Sequence, residues 1–183
     1  LTEPLESAED DAEAGADDLR RLGLDSRDCV VAVSASGRTP YCIGAMKYAK
    51  AQGAAVVSLS CNDPSEMGAV ADTAIAVVVG PEVVSGSTRL KAGTAQKMAL
   101  NMLSTGSMIR TGRVYRNLMI DMKPTNSKLR QRAKRIVSAA AGVGEEAAEE
   151  ALKAANYDIK IATVSLITGE SPERSAKLLE AAG

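Results

Sequence analysis

Three short apolar, β-branched runs punctuate the first half of the chain: CVVAV from Cys29 to Val33, AVVSLS from Ala55 to Ser60, and TAIAVVV from Thr73 to Val79. Such unbroken runs are what a parallel strand shows when helices cover both of its faces. Between the first two, Ile43, Met46, Tyr48 and Ala49 recur at helical spacing, with Thr39 as a candidate N-cap, Pro40 at the first helical position and Gly53 closing the helix. Glu66 to Ala71 has room for a short helix only, after the turn residues Asn62, Asp63 and Pro64. Strands alternating with helices imply right-handed crossovers and a parallel sheet, hence a three-layer α/β fold. Three strands leave two edges that need cover, so the pattern expects at least one further βα unit upstream. A chain opening on Leu1 rather than methionine fits that expectation.

Helical spacing then dominates. Ala12 to Leu22 leads into the first strand, and Leu90 to Thr111 forms a long helix whose Met98, Leu100, Met102, Leu103 and Ile109 make it apolar nearly all round. That predicts burial on more than one side, by its own sheet and by a second subunit. Pro124 to Asn126 marks a boundary, after which 127–141, 145–155, 159–168 and 171–182 read as four helices. The expected division is an α/β domain over 1–125 and a small helical subdomain over 126–183.

The loops at the strand ends carry the chemistry. Ser34 to Thr39 combines small side chains, hydroxyls and the charge of Arg38 just ahead of a helix N-terminus, where free N–H groups and the helix dipole favour an anion. On spacing alone the same unit also describes an ordinary βα connection. Gly80 to Thr88, GPEVVSGST, is a second loop on the carboxyl side of the sheet, where open α/β sheets bind ligands. Ser87 there reads either as a site residue or as a helix cap.

Composition narrows the reaction types. The 183 residues contain no histidine, which removes the Ser-His-Asp and Cys-His nucleophiles and the commonest metal ligand. Acid-base work falls to carboxylate, lysine, tyrosine or cysteine. Cys29, Cys42 and Cys61 are odd in number and widely spaced, matching neither a disulfide framework nor a zinc site; they read as small core residues of a reducing cytoplasm. A net charge of -1 points to no bulk polyanionic partner, and no apolar run approaches the roughly 18 residues of a membrane span. Residues 1–18 hold eight acids and no Lys or Arg, with Glu6, Glu9, Asp10 and Glu13 spaced for one helix side, in the simplest reading a solvated face. Residues 110–135 hold nine Lys or Arg against Asp121; with Tyr115 the one interleaved aromatic, they read as a solvated connector rather than a nucleic-acid surface.

Particular runs also resemble a known family. GPEVVSGSTRLKAGTAQKMALNMLST, from Gly80 to Thr105, is similar to the signature of the N-acetylmuramic acid 6-phosphate etherases and the related glucokinase regulatory proteins. SASGRTP, from Ser34 to Pro40, resembles a phosphosugar loop of the sugar isomerase (SIS) fold, and LESAED, from Leu5 to Asp10, an acidic family motif. NLMIDMKPTNSKLRQRA, from Asn117 to Ala133, fits the etherase branch, and the helical tail is similar to a ubiquitin-associated bundle.

The resemblance implies a lyase without cofactor or metal that splits the D-lactyl ether of N-acetylmuramic acid 6-phosphate into N-acetylglucosamine 6-phosphate and D-lactate, during cell-wall amino-sugar recycling in the cytoplasm. It implies Glu9 as the base for the proton on carbon 2, and Ser34, Ser36, Gly37, Arg38 and Thr39 as phosphate or sugar contacts. Glu82, Ser87 and Lys91 are implied at a site shared within a homodimer. The family's other catalytic glutamate and a further phosphate loop belong to an earlier βα unit, which residues before Leu5 do not supply. Two competing readings remain: a non-catalytic sugar-phosphate sensor resembling the regulatory relatives, and a phosphosugar aldose-ketose isomerase.

Overall fold

The computed structural model describes residues 6–182, so Glu3 and Leu5 of the acidic stretch lie outside the described residues. The chain divides into two compact units, 1–102 and 103–183.

In the first unit a 3-10 turn, Glu6–Asp10, precedes helix α1, Ala12–Arg21. Asp11 separates them, its carboxylate accepting from the Ala14 N–H at 3.0 Å. The acidic run therefore does not share one helix face as its spacing suggested. A good N-cap in mid-run restarts the helix, which puts Glu9 on the turn and Glu13 on α1. Strand β1, Cys29–Val33, then leads to α2, Pro40–Ala51, and β2, Ala55–Ser60, to α3, Glu66–Val70. Strand β3, Thr73–Ala76, completes a parallel sheet in the order β1-β2-β3, with Val30 opposite Val56 and Leu59 opposite Ile75. The fold is α/β, as expected.

Even-numbered strand residues face α2 and α3. Ala32 and Val56 pack there with Met46, Ala49, Ala54 and Met67, and Met46, Ala49, Val56 and Met67 are completely buried. Each large apolar side chain removed from water in this way contributes about 1.5–3 kcal/mol.

Helix α1 lies on α2 with its backbone almost touching. A Cβ on Gly15 would stand 2.1 Å from the Tyr41 carbonyl oxygen. Only glycine allows helices this close.

Three expectations need correction. The flanking strands are not covered on both faces: Cys29 is exposed and Val31 is 37% exposed, because they lie on the face of β1 opposite the residues packed on α2, and most of β3, which ends the sheet, is exposed. Cys29 is accordingly not a core residue; Cys42 is half-buried and Cys61 buried, and all three thiols are free. The long helix α4, Lys91–Arg110, buries Ala92 alone, while Met98, Leu100, Met102, Met108 and Ile109 are between 41% and 67% exposed. An all-round apolar sequence requires partners on several sides, and among the described residues these side chains stay largely exposed.

In the second unit the stretch expected as a plain connector contains a β-hairpin, β4 Val114–Tyr115 and β5 Leu118–Met119, turning at Arg116 with φ 56°. Two-residue strands are too short to show a period, which is why the pattern missed them. Four helices follow: α5 Ser127–Ala141, α6 Glu145–Ala154, α7 Ile159–Thr168 and α8 Pro172–Ala182. Asn126 and Asp158 cap α5 and α7, accepting from Leu129 N at 2.9 Å and Ile161 N at 3.0 Å. Val137, Ala148, Leu152, Ile159 and Ala162 form the core, and Leu118, Ile120 and Met122 pack against it. No helix among the described residues is long and apolar enough to cross a membrane.

Candidate functional site

The loop from Ser34 to Thr39 leaves the carboxyl end of β1 and turns at once into α2. Gly37 makes the turn at φ +68°, and a Cβ there would stand 2.6 Å from the Ser65 Cβ and 3.0 Å from that of Ser60. The loop is thus pressed against the segment after β2, and a side chain at position 37 would lift it away.

Three hydroxyls converge in front. Ser34 Oγ lies 2.7 Å from Thr39 Oγ1 and 3.2 Å from Ser36 Oγ, which also accepts from the Arg38 N–H at 3.4 Å. Thr39 occupies the N-cap position of α2, but its hydroxyl makes no cap bond. It turns to Ser34 instead, leaving the first-turn N–H groups of the helix without a side-chain acceptor. Hydroxyls that can each donate or accept, at a helix N-terminus, suit a phosphate oxygen.

Glu9 reaches the same place from the 3-10 turn. It lines a cleft of about 430 Å³ together with Ser34, Thr39, Tyr41 and Cys42. Burial pushes the Cys42 thiol pKa up, and the Glu9 charge adds to the shift. The Tyr41 hydroxyl donates to Asp18 Oδ2 at 2.6 Å, a bond that raises its pKa, while Arg21 holds Asp18 Oδ1 at 2.7 Å. Tyr41 therefore joins α1 to the wall of the cleft.

Ser36 and Arg38 also line a second cleft, of about 360 Å³, shared with Asn62, Ser65 and Glu66. Glu82 and Lys91 line a third, broad cleft of about 830 Å³ with Val83, Leu90 and Met98. The Glu82 carboxylate has a structural task there. Its two oxygens accept from the Lys91 and Ala92 N–H groups, each at 3.0 Å, clamping the first turn of α4. These bonds hold its pKa below the ordinary glutamate value, the Ala92 bond contributing most. Ser87 lines none of these three clefts; its N–H donates to the Val84 carbonyl at 3.0 Å. The cap role open to it on sequence belongs to Glu82.

The sequence pattern of the SIS domain family matches residues 8–106. The chain belongs to the SIS domain family. Residues 116–177 match the C-terminal lid domain of glucokinase regulatory protein. Among curated proteins, N-acetylmuramic acid 6-phosphate etherases are similar throughout. The one from Alkaliphilus metalliredigens is 54% identical over 184 residues, all of this chain and 60% of its own. That from Caldanaerobacter subterraneus subsp. tengcongensis is 50% identical over 97% of this chain and 58% of its own. The Cronobacter sakazakii protein is 53% identical over 92% of this chain and 57% of its own. The chain spans about three-fifths of the length of these relatives.

Within this SIS unit, then, Glu9, Ser34 and Thr39 meet in one cleft and Ser36 and Arg38 in another, with Gly37 between them in the loop sequence. Sequence reasoning missed Tyr41, Cys42 and Asn62. Their places depend on contacts between segments far apart in the chain, and no local motif announces such contacts.

Proposed function

We propose that this SIS unit binds N-acetylmuramic acid 6-phosphate and works in a lyase that releases D-lactate from it. The observation that supports this reading most directly is a carboxylate, Glu9, lining the same cleft as the Ser34 and Thr39 hydroxyls. The names of the similar proteins supply the substrate. In this reading Ser34, Ser36, Gly37, Arg38 and Thr39 hold the phosphate and sugar hydroxyls. Glu9 takes the proton from carbon 2, and the electron pair expels the lactyl oxygen from carbon 3; that oxygen takes a proton from a second carboxyl group acting as the acid. Water then adds across the unsaturated intermediate, so substrate plus water balances N-acetylglucosamine 6-phosphate plus D-lactate. The chemistry calls on carboxyl groups in opposite protonation states and on neither metal nor cofactor.

Three further parts belong to the proposal. The exposed apolar residues of α4 are covered by a second copy of the chain, and the loop carrying Glu82, Ser87 and Lys91 contributes to a site shared between subunits. The functional division falls at 125/126, just ahead of the α5 cap Asn126. The reaction takes place in the cytoplasm, on a free sugar phosphate rather than on nucleic acid. The match to the lid of a regulatory protein favours a second reading, a sugar-phosphate sensor without turnover.

D-lactate release from N-acetylmuramic acid 6-phosphate separates the two. Release by the protein, lost in Glu9→Gln with binding kept, supports the lyase. Tight binding without release supports the sensor.

A further inference from the structure

The Ser34–Thr39 loop is a set of backbone dipoles whose direction decides whether an anion can approach. Its carbonyls are held from behind. Ser34 O accepts from Gly37 N at 3.2 Å, and Gly37 O from Met67 N at 2.9 Å. Ala35 O accepts from Cys61 N at 3.0 Å. One side chain adds two more donors: Asn62 Nδ2 donates to Ala35 O at 2.9 Å and to Ser36 O at 3.4 Å. Among the described residues the amides of Ala35, Ser36 and Thr39 donate to no backbone carbonyl. A peptide whose carbonyl is pinned backwards has its N–H turned forwards; the Ala35–Ser36 peptide thus presents the free Ser36 N–H, while the Ser36–Gly37 peptide closes the turn by donating to Ser34 O.

We infer that Asn62 is the positioning residue of this anion site: its amide pins the Ala35 and Ser36 carbonyls and so holds the turn that presents the Ser36 N–H to a phosphate. The inference rests on the proposed function for the identity of the ligand. The residue type matters. Two carbonyl oxygens require a double N–H donor, and an amide nitrogen supplies one without charge. Aspartate would set a carboxylate against two carbonyl oxygens, and serine has a single hydroxyl proton. Asn62 is itself anchored, since its own carbonyl accepts from the buried Ser60 hydroxyl at 2.9 Å. The chain Ser60–Asn62–loop thus transmits the rigid end of β2 to the site.

Asn62 is exposed, so its truncation leaves the core intact. The test compares the protein with Asn62→Ala by calorimetric titration with N-acetylmuramic acid 6-phosphate and with unphosphorylated N-acetylmuramic acid. Loop amide exchange is followed by NMR without ligand. The expected result is about tenfold weaker binding of the phosphorylated sugar, at most a twofold change for the unphosphorylated one, an unchanged melting temperature, and faster exchange at Gly37, whose N–H closes the turn on Ser34 O. Equal binding of the phosphorylated sugar by both proteins overturns the inference, and so does equal loss for both sugars, which a merely structural role predicts. If the unsubstituted protein binds neither sugar, the ligand reading fails on its own. Exchange then decides: faster exchange at Gly37 in Asn62→Ala supports the positioning role, and unchanged exchange overturns it.

Discussion

Gly44 on α2 sits against Ala12 at the start of α1, so close that a Cβ on Gly44 would stand 1.9 Å from the Ala12 carbonyl oxygen. Ala12 lies three residues after Glu9, which the preceding turn carries. The distance between the two helices therefore sets how far Glu9 reaches over the hydroxyls of the loop. Gly44→Ala is expected to push α1 outward, costing about 1–3 kcal/mol as an overpacking change. Urea unfolding should show the lower midpoint, and ligand affinity should fall with it. An unchanged midpoint would mean that the helices separate without strain.

Glu9→Gln retains the shape and polarity of the side chain and removes the base. Binding of the sugar phosphate should stay within a few fold while lactate release is abolished. Near-normal release from this variant would sink the assignment of Glu9 as base.

Ser34→Ala removes the hydroxyl that touches both Thr39 and Ser36. Affinity for the phosphorylated ligand should drop by about 0.5–1.5 kcal/mol if the lost partner is neutral, and by up to about 3 kcal/mol against a charged phosphate. Titration of Ser34→Ala beside Thr39→Ala also tells whether the pair acts as a unit, in which case the double variant loses less than the sum.

Glu82 makes α4 sensitive to acid. Its pKa in the folded protein is depressed by the Ala92 and Lys91 N–H groups, so its contribution is fully present above the ordinary value of 4.5. That contribution disappears as the pH falls through the lower folded value. Amide exchange at Lys91 and Ala92 should accelerate in that acid window. Glu82→Gln should remove the pH dependence at these two amides, and persistence of the acceleration in this variant would place its origin elsewhere.

Leu152 is 1% exposed in the core of the helical unit. Leu152→Ala should cost about 2–5 kcal/mol there, read from chemical denaturation. A loss well below that range would show that α6 and its neighbours close over the gap.

Much of the molecule is determined locally, and the sequence alone was enough for it. The parallel strands follow from β-branched runs, and Thr39 with Pro40 and the boundary from Pro124 to Asn126 mark helix starts because caps, turns and proline act within a few residues. The convergence of hydroxyls around Ser34 could be foreseen for the same reason, since all of them lie within six residues. Tertiary structure decided the rest. Whether Glu9 belongs to a solvated face or a cleft depends on where α1 docks, and that rests on the absence of a Cβ at Gly15 and Gly44. Glu82 became a helix clamp, and Asn62 a support for the loop, through partners 9 and 27 residues away. Local spacing reports which face a side chain takes, but it carries no information about which distant backbone that face will meet.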